Sequence, residues 1–139
     1  MEKHYTPAIE EFHVGFEYEA LWGVENINGE WLKETFTDEC STKNLEEVVR
    51  VKCLDKEDIE TLGWKEVISD LPLTHNWFKS IVYEFRFLSN PNCQITFGND
   101  GQILVSCKPT MGGPDLLLFF GKIKNKSELK KLMQQLQIL

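Results

Sequence analysis

From Phe12 to Trp22 an apolar residue occupies every even position: Phe12, Val14, Phe16, Tyr18, Ala20 and Trp22. The polar residues His13, Glu17 and Glu19 fall on odd ones. Successive side chains of a β-strand point to opposite faces, so this alternation predicts a half-buried strand. Asn28-Gly29 follows, a pair suited to a tight hairpin because both turn positions need φ > 0. Trp31 to Thr37 is predicted as the returning strand, with a bulge near Gly23 that brings Phe36 to the apolar side. The architecture is therefore expected to be antiparallel.

The remaining segments extend that reading. Val48 to Leu54 is predicted as a strand with Val49, Val51 and Cys53 inward. Asp55 is placed to cap a short helix, acids occupy its positive first turn, and Gly63 ends it in the left-handed conformation. Residues 65–76 carry no clear period. Trp77 to Leu88 reads as a strand with Ile81, Tyr83, Phe85 and Phe87 on one side. Cys93–Phe97 and Gln102–Cys107 read as a hairpin about Gly98-Asn99-Asp100-Gly101. Five apolar residues in a row, Leu116 to Phe120, predict a strand buried on both faces and hence central. Asn125 with Glu128 forms a capping-box pattern, and Leu129, Leu132, Met133, Leu136 and Leu139 make a helical apolar stripe. The fold class is thus α+β. A single domain over 1–139 holds a twisted antiparallel sheet of about six strands. A C-terminal amphipathic helix packs on one face, and a short helix lies near 56–62.

Charge and composition narrow the function. The chain has 139 residues and a net charge of −7, distributed as −9 over residues 1–47, −2 over 48–107 and +4 over 108–139. An acidic protein is repelled by the phosphate backbone, so no nucleic-acid partner is expected. No apolar run reaches the roughly 18 residues of a membrane span. Met1-Glu2-Lys3-His4 lacks the basic and apolar segments of a signal peptide, so a cytoplasmic location is expected. Cys40, Cys53, Cys93 and Cys107 are too widely spaced for a zinc or redox motif and are expected to be free thiols, with Cys53 and Cys107 in phase with the core.

Chemistry-bearing residues are few. Glu11, His13, Glu17 and Glu19 on one strand face would suit a divalent ion or an acid–base pair, although a solvated sheet face uses the same residues. The candidate ligand residues are His75 just before a strand and Trp77 at its start, Arg86, the loop glycines Gly112 and Gly113, and the alternating Lys122 and Lys124. Paired glycines expose amides that can cradle an anion. Aromatic faces beside cations suit a nucleotide-like ligand. Edge lysines equally block unwanted strand pairing. No serine elbow, metalloprotease helix or phosphate loop is present, so no catalytic residues and no cofactor are assigned.

Three segments carry a resemblance: Ile9-Glu10-Glu11-Phe12-His13-Val14-Gly15-Phe16-Glu17, Leu54 to Trp64, and Lys124-Asn125-Lys126-Ser127-Glu128-Leu129-Lys130-Lys131-Leu132. Together they resemble a set of short bacterial and phage proteins without an established activity. The resemblance implies a shared scaffold of strand, capped helix and terminal helix, with individual function in the middle of the chain. The leading expectation is a small non-enzymatic, phage-linked binding protein that sequesters an anionic nucleotide-like small molecule or blocks a host protein. The alternatives are a structural protein forming a homo-oligomer, or a metal-dependent hydrolase using His13, Glu17 and Glu19.

Overall fold

The computed structural model describes residues 3–21, 30–37, 49–68, 78, 81–98 and 100–138. The chain divides into two compact units, Met1–Cys53 and Leu54–Leu139. The class is α+β. In place of one sheet of six strands, the described residues form an antiparallel sheet of four and another of five.

In the first unit β1 (His4–Tyr5), β2 (Glu17–Ala20), β3 (Leu32–Thr35) and β4 (Val49–Lys52) are ordered β1-β4-β2-β3. The predicted strand from Phe12 is cut short. Ile9–Glu11 is a turn of 3-10 helix, and Gly15 sits at φ 92°. The Phe16 N–H donates to the His13 carbonyl at 2.9 Å, closing a tight turn with Gly15 in the left-handed position that a side chain would strain. Gly15 N–H also donates to the Phe36 carbonyl, and Phe36 N–H donates to that of Phe16. Phe36 thus faces two residues, which makes a bulge at Gly15, while the bulge expected near Gly23 lies outside the described residues. The apolar side survives the change. Phe12 packs edge-on against Phe16, Tyr18 and Phe36 with centroids 5.1–5.6 Å apart, while Val14 turns out to solvent.

The register is also corrected. Uninterrupted pairing from a two-residue turn at Asn28-Gly29 would set Ala20 opposite Thr37, but Ala20 pairs with Leu32. Asn28, Gly29 and Gly23 themselves lie outside the described residues.

The second unit is a meander in sequence order, β5-β6-β7-β8-β9. Its strands are β5 (Trp64–Glu66), β6 (Val82–Phe87), β7 (Asn90–Gly98), β8 (Gln102–Cys107) and β9 (Leu116–Lys122). Before it, α1 (Lys56–Thr61) is capped as the sequence implies: the Asp55 carboxylate accepts from Asp58 N–H at 2.9 Å, and Gly63 takes φ 99°. After it comes α2 (Lys126–Gln135), whose Asn125 side chain accepts from Glu128 N–H at 2.8 Å. The Glu128 carboxylate reaches back to Lys124 N–H, one residue before the expected partner. Ile59, Trp64, Phe85, Ile95, Ile103, Leu129 and Met133 form one core between the helices and a single sheet face. The Trp64 indole N–H, buried there, points at the Met133 sulfur 3.3 Å away. The expected helix-on-sheet layer is therefore present.

Two further expectations change. Leu116–Phe120 is an edge strand, not a central one, since β9 pairs with β8 alone among the described strands. Cys93 and Cys107, expected to be free thiols, are joined as a disulfide across β7 and β8 at a Cα separation of 4.2 Å. They lie directly opposite one another, and the flanking Lys108 N–H donates to the Asn92 carbonyl. That places the cysteines at the close, non-hydrogen-bonded kind of pair. Cys53 is free, and Cys40 lies outside the described residues. Closing a loop of this size constrains the unfolded chain by about 3 kcal/mol. Cys93→Ser with Cys107→Ser is expected to lower the unfolding free energy by about 2–4 kcal/mol in urea titration, and reductant is expected to do the same to the parent chain but not to the variant.

Candidate functional site

Among the described residues of the second unit, β9 carries four exposed large apolar side chains. Leu116, Leu117, Leu118 and Phe120 are 56%, 51%, 37% and 40% exposed on one strand. Neither chain order nor helix reach covers them. Among the described strands β9, last in the meander, has a neighbour on one side only, and the chain then turns into α2. Val105 faces Phe119 but Ser106 faces Leu117, so Leu118 is an extra residue and bulges the strand.

Which backbone groups face outward follows from the ladder. The Ile123 N–H donates to the Gly101 carbonyl, in the same register as the pairs Gln102↔Lys122 and Ile103↔Gly121. Antiparallel ladders alternate, so the Gly121 amide points inward to β8 and the Lys122 amide points outward along the sheet edge. Two aromatic contacts stiffen this strand. The Phe119 ring lies over Gly121, where an added Cβ would meet Phe119 Cζ at 2.9 Å. Phe120 stands edge-on to Phe78 at 5.7 Å, and Phe78 with Val82 and Leu104 makes a small apolar cluster on the sheet face away from the main core. Edge strands that stay single normally carry lysine, proline or inward charges, whereas the run 116–121 has no charged residue or proline.

The described residues among those singled out from sequence do not converge. Gly112 and Gly113, at φ 81° and 106°, lie with open space around them in the loop before β9. Lys122 is at the other end of that strand, roughly 20 Å away at strand rise. Lys124 follows it, and its backbone is engaged on both sides: its N–H donates to Glu128, and its carbonyl accepts from Leu54 N–H. Arg86 is exposed on β6, opposite Lys65 and Gln94 and three strands from β9. His75 and Trp77 lie outside the described residues.

The acidic face of the first unit is likewise dispersed. The Glu11 carboxylate accepts from the Tyr5 hydroxyl at 2.8 Å and from Ala8 N–H at 2.7 Å. His13 Nδ1 is 2.9 Å from the Glu11 carbonyl, in the turn before β2. Glu17 is exposed on β2, whereas Glu19 accepts from Arg50 Nε–H at 2.6 Å and lies 3.5 Å from His4 Nε2. Trp31 lies over the Arg50 guanidinium, 4.2 Å from its ring centroid. Among the described residues no three His, Cys, Asp or Glu side chains are grouped to hold a metal ion, so His13, Glu17 and Glu19 do not make one site. No helix among the described residues is long and apolar enough to cross a membrane. No protein-family model, curated protein or solved structure matches the chain.

Sequence reasoning missed three features: the bare edge, the disulfide and the Glu19–Arg50–His4 cluster. A three-residue turn ending at Gly101 already sets position 93 opposite 107, so the cysteine pair was derivable. The cluster joins residues from three strands, and no local spacing announces it. If β9 is an edge, Leu117→Lys is expected to change the unfolding free energy by less than about 0.5 kcal/mol. Ile103→Ala on the neighbouring strand is expected to cost about 2–4 kcal/mol. Denaturant titration of both variants checks the contrast, and equal losses would place Leu117 in the core.

Proposed function

We propose that this is a non-enzymatic binding protein that works by protein contact, taking an extended polypeptide segment along the outer edge of β9. The observation that carries this is the uncharged run of a seven-residue edge strand, with Leu116, Leu117 and Leu118 exposed in succession. In strand addition, main-chain hydrogen bonds supply affinity and alternate side-chain pockets supply selectivity. A sheet that ends in such a strand has both components. The dispersal of Arg86, Gly112, Gly113, Lys122 and Lys124 favours this reading over capture of an anionic small molecule. Blocking of a host protein and assembly with a structural partner are both forms of it.

A ten-residue peptide alternating valine and threonine between terminal lysines is a suitable probe, being extended and unrelated to any natural partner. Amide shift changes confined to Leu117, Leu118, Lys122 and the neighbouring β8 are expected on titration. Their absence, or changes centred elsewhere, would remove the proposal.

A further inference from the structure

We infer that the segment added to β9 is the β9 of a second copy of this chain, related by a two-fold axis, so that two five-stranded sheets join edge to edge. This rests on the strand-addition reading above and names its occupant. Charge placement carries it. The uncharged run 116–121 is bracketed by Asp115 at one end and Lys122 at the other. The extra residue at Leu118 leaves Leu117, Phe120 and Lys122 with outward backbone groups, so antiparallel pairing about an axis between Leu118 and Phe119 sets Leu117 of one copy opposite Phe120 of the other and Lys122 opposite its Asp115. Symmetry makes the contact twice. Parallel pairing would stack like charges instead. Elsewhere the net charge of −7 opposes self-association, and an uncharged strand is where it opposes it least.

Leu116, Leu117, Leu118 and Phe120 together bare on the order of 300 Å² of apolar surface, at the low end of patches that mark interaction sites. Two copies meeting there bury less than the roughly 1,200 Å² of a standard stable interface. The bulge at Leu118 shortens the regular ladder further. The expected assembly is therefore a weak, concentration-dependent dimer rather than an obligate one.

Sedimentation velocity from about 1 µM to about 1 mM tests it, with a monomer–dimer equilibrium expected near the middle of that range. Asp115→Lys and Lys122→Asp each place like charges across the two-fold and are expected to weaken the dimer about tenfold or more. The double exchange Asp115→Lys with Lys122→Asp is expected to restore it. Both positions are exposed, so the variants should fold, and circular dichroism verifies that they do. A monomer at every concentration would overturn the inference. A dimer indifferent to the single exchanges would also overturn it, by locating the contact elsewhere. If the valine–threonine peptide binds β9 while the chain stays monomeric, strand addition stands and the second copy does not. If neither binds, both fall.

Discussion

One geometric limit governs the second unit: the helices among its described residues are too small to roof its sheet. The ten residues of α2 make a rod about 15 Å long and about 10 Å across. Five strands at about 4.8 Å spacing make a surface roughly 20 Å wide. Leu129 and Met133 therefore seal the ground above Trp64, Phe85, Ile95 and Ile103, while α1 contributes Ile59 to the same core. Only half-buried Phe119 joins that core from β9, and the leucines N-terminal to it remain exposed. The bare edge is a consequence of where the apolar cover runs out.

The same apolar run that looks like a core strand lies at the edge of the described sheet. Burial on both faces requires a layer on each side and a strand on each edge. Neither the order of the meander nor the length of α2 supplies them for β9. A sequence of uncharged large side chains in a place where single edges are usually defended is a feature that calls for a partner. That is the physical content of the binding proposal. It does not depend on any catalytic group.

Much of the local structure was legible because it obeys short-range rules. Asp55 and Asn125 cap the helices they announce, Gly63 ends α1, and the turn about Gly98–Gly101 joins β7 to β8 with Gly101 at φ 86°. The stripe Leu129–Met133 faces the core as its spacing implies. What failed was inference beyond one element. The alternation holds over Phe16, Tyr18 and Ala20, but Val14 is exposed, Gly15 breaks the backbone and the strand starts only at Glu17. The Asn28-Gly29 pair implied a register that the Ala20↔Leu32 ladder does not have. Hydrophobicity placed 116–120 in the centre, because composition reports a strand's appetite for cover and not whether cover is available. The candidate anion residues were chosen by type, and strand order sets Arg86, Gly112, Gly113, Lys122 and Lys124 apart.

Backbone amide exchange at β9 tests the central claim most directly. In dilute protein the Lys122 amide, which points out of the sheet, should exchange quickly, while the Gly121 amide beside it, bonded to β8, is protected. On concentration Lys122 should gain protection and Gly121 should change little. Equal, concentration-independent protection of both amides would mean that β9 is already covered on its outer side, which contradicts an open edge.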